Sequence, residues 1–365
     1  TREMEFLGSG SSIFCRNNAN IVVRQCNFTN NEASANGGAI YGETESININ
    51  NCRFINCSAG IDSEGQGGGI YLEQDSTSAY EWSMGNIFIN CSAGYSGGGI
   101  FIYCHDTHKG QTKREVSQEI TIADCNFTEC RSLVEGGAIS SGKQEDPNDP
   151  DTISGDGDMI ILRCTFNKCE SGKGGALYFQ DGTSDGDEDT EISNCHFFGC
   201  YATEDPHEGY SIYCRSYQVN LHDCDFQDHL ARGKEPNNCI VYIHTNEPEV
   251  QPVIKELTFE NNNGVSSLIV KSGAKIITIE KLHFHNNRDG TPVLNFNRWE
   301  AKDAVVVTKC DFKDIINSRC IYMSEPPKNK GLSISVTEST FDNIKADDTR
   351  EMEFLGSGSS IFCRN

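Results

Sequence analysis

The stretch "NCRFINC" at residues 51–57, followed by "GGGIYLE" at 67–73, decides how this chain is read, because both phrases return along the whole sequence. Full copies of the first are "DCNFTEC", "RCTFNKC" and "NCHFFGC". Decayed copies run from "QCNFTNN" and "GNIFINC" to "KCDFKDI" and "ESTFDNI". Their aromatic anchors are Phe28, Phe54, Phe88, Phe127, Phe166, Phe197, Phe226, Phe259, Phe284, Phe312 and Phe341, eleven units spaced 25 to 39 residues apart. Before most anchors stands an alternating run, as in "SININNCRF" or "AVVVTKCDF", which is the pattern of a strand with one buried face. The second phrase carries another short strand. It is glycine-rich at first ("GGAIYGE", "GGGIFIY", "GGALYFQ") and later keeps its strand without the glycines ("CIVYIH", "SLIVKS"). No stretch sustains a helical period. Units of this kind, repeated without helices, coil rather than collapse, so the expected fold is all-β: a parallel β-helix of about eleven coils, with parallel pairing between successive rungs.

The residue choices follow from that geometry. Inward phenylalanines stack in one column, each contributing about 2 kcal/mol by burial. Paired glycines permit positive φ and close approach of neighbouring backbones. The position three residues after each phenylalanine holds mostly cysteine or asparagine, and stacked asparagines there are expected to bond along the axis. Leucine-rich repeats lack a counterpart here, and coils this long exclude a strict left-handed hexad.

The pairing of "GGAI" with "FxxN" resembles the repeats of chlamydial polymorphic outer membrane proteins and their protist relatives. Phe28 to Asn31 with Gly37-Gly38-Ala39-Ile40, and Gly136 to Ile139, follow the pattern closely, whereas the units from Phe226 onward have lost the glycines. The resemblance implies a right-handed β-helix at a cell surface, serving adhesion or display.

Residues 1–17, "TREMEFLGSGSSIFCRN", recur identically at 349–365. The second copy supplies the strand phrase that completes the coil begun by "SISVTESTF". The expectation is therefore one continuous solenoid over 1–365, uncapped at both ends, in which 349–365 starts the next 348-residue tandem period. An engineered duplication is the alternative. Such an array is an extracellular or cell-surface filament whose partners are further copies of its own period, with lateral self-association open to it.

The net charge of −23 argues against nucleic acid and anionic membrane surfaces. No apolar run reaches the roughly 18–20 residues that span a bilayer, and no signal peptide is visible, so export requires a signal outside this sequence. Of the 18 cysteines, Cys52/Cys57, Cys125/Cys130, Cys164/Cys169 and Cys195/Cys200 are candidates for disulfides within a coil. Cys15/Cys26, Cys91/Cys104, Cys214/Cys224 and Cys310/Cys320 are candidates for tying a coil's two strands, which leaves Cys239 over in each period, Cys363 being the copy of Cys15. Pairing between coils, or a ladder of buried free thiols, fits the spacing as well. Asn27, Asn56, Asn90 and Asn126 head glycosylation sequons, and Asn27 and Asn126 should face outward.

Two loops, 144–158 and 181–191, each carry six carboxylates and no base. Asp156, Asp158, Asp185, Asp187 and Asp189 offer oxygens suited to Ca²⁺, though a solvated acidic surface explains them equally well. "CHDTH" at 104–108 could hold a soft metal or be a plain polar loop. Parallel β-helices also host pectate lyases and other polysaccharide-cleaving enzymes. Those need carboxylates and bases converging in a groove, and neither loop interleaves them. The expectation is a non-enzymatic structural protein, with a glycan- or receptor-binding adhesin second.

Overall fold

Each repeat unit bends twice around its phenylalanine, and both bends use backbone that L-residues seldom adopt. The computed structural model describes residues 8–16, 20–44, 46–62, 64–75, 80–105, 119–142, 158–180, 189–204, 209–231, 238–245, 250–272, 274–289, 292–295, 304–323, 333–345 and 361–363. Every strand pairing among them is parallel, and no helix occurs among them. The chain is an all-β parallel solenoid, as the repeats predict.

The strand predicted to run into the phenylalanine is in most coils two strands, as in Ser46–Asn50 followed by Arg53–Ile55. The break is a left-handed residue three before the phenylalanine, such as Asn51 (φ 54°) or Asp124 (φ 57°). A second lies two after it, such as Asn56 (φ 53°) or Glu129 (φ 53°). Asparagine, aspartate and glycine tolerate this region best because their side chains are short or absent. Even the long strand Gln218–Gln227 carries the bend, at Asp223 (φ 54°).

Three sheets result. A twenty-stranded sheet holds the alternating runs and the phenylalanine strands. A six-stranded sheet of dipeptides ends at Tyr201–Ala202. A twelve-stranded sheet holds the glycine-phrase strands, from Ile13–Cys15 to Ile361–Cys363.

The paired glycines divide two tasks between them. Gly97 has φ +66°, the turn into the twelve-stranded sheet. A Cβ on Gly98 would lie 2.3 Å from the carbonyl oxygens of Arg131 and Gly137 in the next coil. Only a residue without Cβ lets the two backbones meet there. At the equivalent of the second glycine, Tyr210 is fully buried, and the six-stranded sheet stops in the coil that contains it.

Register places the phenylalanines in one line, Phe28 opposite Phe54, Phe54 opposite Phe88, and so on to Phe312 opposite Phe341. Ring centroids of successive members lie 4.7 to 5.3 Å apart in near-parallel stacks. Ten are buried. Phe341, the last of the line, is half-buried and stacks against Phe312.

The predicted disulfides within a coil are not formed: the sixteen cysteines whose side chains are described are free thiols. The geometry explains this correction. Cys52 and Cys57 flank an extended strand that carries the chain about 10 Å from Cys52 to Ile55 before the corner, beyond the roughly 7 Å limit for a bridge. The same holds for Cys125/Cys130, Cys164/Cys169 and Cys195/Cys200. Cys15/Cys26, Cys214/Cys224 and Cys310/Cys320 are unbridged too. Cys214 stacks between Phe179 and Ile243 in the twelve-stranded sheet, whereas Cys224 lies in the twenty-stranded one. Cys91 is free, and the side chain of Cys104 lies outside the described residues.

Candidate functional site: the stacked ladders and the surface they leave

The two cysteines of each CxFxxC belong to two separate ladders, one on each side of the phenylalanine column. Three residues after phenylalanine stand Cys57, Cys91, Cys130, Cys169 and Cys200, and each thiol donates to the phenylalanine carbonyl of the preceding coil, as Cys91 does to Phe54 at 3.4 Å. Asn262 and Asn287 make the same bond with Nδ2, at 3.1 Å to Phe226 and Phe259. Cysteine and asparagine thus fill one structural role, a buried donor that ties coil to coil. The asparagine version is the ladder the sequence suggested. Two residues before phenylalanine the pattern repeats. Cys164 and Cys195 bond back to Ile122 and Ile161, and Asn86 replaces cysteine, with Nδ2 2.6 Å from the Ile49 carbonyl. Burial holds the thiols of Cys164, Cys169 and Cys224 above the usual range, so they stay protonated.

His229 interrupts the first ladder and is fully buried. Its Nε2 lies 2.6 Å from the Ser211 hydroxyl and its Nδ1 3.0 Å from Asn262 Oδ1. Burial pushes the imidazole down to about 4, although the Asn262 bond opposes this. The ring is therefore neutral at pH 7.

An exposed asparagine ladder runs along the second corner, where Asn56 donates to Asn30 (3.1 Å) and Asn90 to Asn56 (3.0 Å). These side chains are the sequon acceptors Asn56 and Asn90, so their amides are already engaged. Asn27 and Asn126 are exposed on their strands, facing out as predicted.

Reading the sequence missed a second aromatic ladder. Alternation after the glycines sends Tyr41, Tyr71 and Phe101 to the opposite face from the main core. There they stack on one another and on Phe14, with centroids 5.0 to 5.5 Å apart. Tyr178, Tyr213 and Tyr242 continue it. Ser140 stands between the two runs, opposite Phe101 and Tyr178. The signal was present, since an aromatic follows the isoleucine in "GGAIY", "GGGIY" and "GGGIF".

Of the acidic-loop residues, Asp158 and Asp189 start strands in neighbouring coils, and the Asp189 amide donates to Asp158 Oδ1 at 2.9 Å. The bases of the two loops are thus side by side. Asp156, Asp185 and Asp187 lie outside the described residues. A groove of about 340 Å³ opens on the outer surface near the end of the six-stranded sheet, lined by Glu129, Arg131, Lys168, Glu170, Tyr201 and Leu230 among others.

Residues 25–43 match the Chlamydia polymorphic membrane protein (Chlamydia_PMP) repeat family. The segment holds the first phenylalanine strand, its asparagine corner and the first paired glycines. No curated protein and no solved structure matches the chain. Among the described residues no helix is long and apolar enough to cross a membrane.

Proposed function

We propose that this chain is a non-enzymatic structural protein, one 348-residue period of a tandem-repeat β-helical filament at a cell surface or outside the cell. One observation carries the reading. Ile13–Cys15 and Ile361–Cys363 are the same tripeptide 348 residues apart, and they form the two outermost strands of the twelve-stranded sheet. Ile13 pairs with Ile40 and Ile361 with Ile321, each on the isoleucine line of that sheet. A period that ends where it began, in sheet and in phase, can be followed by another without a break. The polymorphic membrane protein repeat supports surface placement, and the chain's acidity discourages aggregation between filaments.

The test is a tandem of two periods joined at the shared seventeen residues. Uniform rods of doubled length by electron microscopy, melting in one transition at or above the single period, are expected. Two beads joined by a flexible link would refute the filament. The groove beside Tyr201 and Leu230 favours an adhesin as the second reading, and a glycan array probed with the chain separates the two.

A further inference from the structure

On the outer face of the phenylalanine strands, two imidazoles and a carboxylate converge. His283 and His285 flank buried Phe284 in the strand His283–His285, so alternation sends both rings outward. Asp311 in the next coil is directly opposite His283. One donor atom from each of the three residues lies within 4.8 Å of the others. His285 Nε2 is already 3.0 Å from Asp311 Oδ2. A tetrahedral ion with bonds of about 2.0–2.2 Å sets its donors about 3.4 Å apart, so a small rotation of the exposed His283 ring toward half-buried His285 and Asp311 closes the set. The Thr340 hydroxyl, one coil further on, donates to the other carboxylate oxygen of Asp311 and orients it. Glu260 and Lys313 flank His285 on the two neighbouring strands, and Thr258 stands beside His283.

We propose that His283, His285 and Asp311 form a surface site for a divalent transition-metal ion such as Zn²⁺ or Ni²⁺. Imidazole donors select such ions, whereas Ca²⁺ takes six to eight oxygens that this face does not supply. The protein gives three donors, and the remaining positions face solvent. Binding needs both imidazoles neutral, and the proton on His285 Nε2 moves to Nδ1 or to solvent when Nε2 takes the metal.

The test is calorimetric titration of the full chain with ZnCl₂ and with NiCl₂ near pH 7.5. One equivalent is expected to be lost in H283A/H285A and kept in H105A/H108A, which alters the other histidine cluster of the sequence. T340V keeps all three donors and is expected to bind about tenfold more weakly, through loss of the group that orients Asp311. As a measurement on the unaltered chain, Zn²⁺ should protect His283 and His285 from diethylpyrocarbonate, read by peptide mass spectrometry. Unchanged stoichiometry in H283A/H285A, or modification of both histidines at the same rate with and without Zn²⁺, overturns the site.

Discussion

Replacing Phe127 by alanine tests the column at its centre. The ring is fully buried and lies 4.7 Å from Phe88 and 5.2 Å from Phe166, with interplanar angles of 5° and 7°. Each stacked pair is worth about 0.5–1.5 kcal/mol beyond burial, and Phe→Ala in a core costs about 3–5 kcal/mol altogether. The upper end is expected, because the cavity cannot collapse. The strand Asn126–Thr128 is pinned by parallel pairing to Ile87–Ile89 on one side and Thr165–Asn167 on the other. Phe341→Ala serves as the comparison, since that ring is half-buried and, among the described residues, stacks on Phe312 at 4.8 Å; its loss should be less than half as large. Urea denaturation followed by far-ultraviolet circular dichroism gives both values, with the slope of each transition checked for unchanged cooperativity. A loss below about 1.5 kcal/mol at Phe127, or equal losses at the two sites, would refute the claim that a continuous stack organises the solenoid.

His229→Asn places at this rung the residue that Asn262 and Asn287 already use in the next two coils. The folded-state value of His229, about 4, lies below the ordinary 6.5, so the neutral ring stabilises fully above about pH 6.5 and this contribution is lost as the pH falls toward 4. At about 1.4 kcal/mol per unit the difference amounts to about 3 kcal/mol, and thermal melts between pH 7 and 4 should show the parent losing roughly that much stability relative to the variant. Parallel pH profiles would refute the assignment. Gly98→Ala drives a Cβ to 2.3 Å from two carbonyl oxygens and should cost more than about 3 kcal/mol, whereas Ala138→Gly, nearby in the glycine phrase of the next coil, should cost only about 1; comparable melting temperatures would count against the close approach. In the native protein, exposed Cys26 and then half-buried Cys15 should react with a thiol reagent before any of the buried ladder cysteines. Release of thiols only after reductant treatment would restore the disulfides.

Much of the architecture is written in local chemistry. A phenylalanine recurring at 25 to 39 residues with alternating neighbours permits one inward line, because the two-residue period of a strand leaves no other way to bury it. The glycine pairs likewise announce a turn and a close contact, the first glycine taking positive φ and the second leaving room for the next coil's backbone. The match at 25–43 falls on this legible part of the chain. Asparagine or aspartate stands at eight of the eleven positions two after phenylalanine; the exposed asparagine ladder at that corner is an addition to the buried one three after phenylalanine that the sequence suggested.

What spacing alone left open concerns neighbours in different coils. Cys52 and Cys57 are close in sequence and separate in space, while Cys57 and Cys91, 34 residues apart, share a ladder. A thiol donating to a carbonyl in the preceding coil leaves no mark in its own unit. His283 and Asp311 likewise meet only because loop lengths between coils set which residues come into register. Loop length varies freely in a solenoid while register does not. Sequence therefore determined the rung, and only the stacking of rungs decided which side chains face one another.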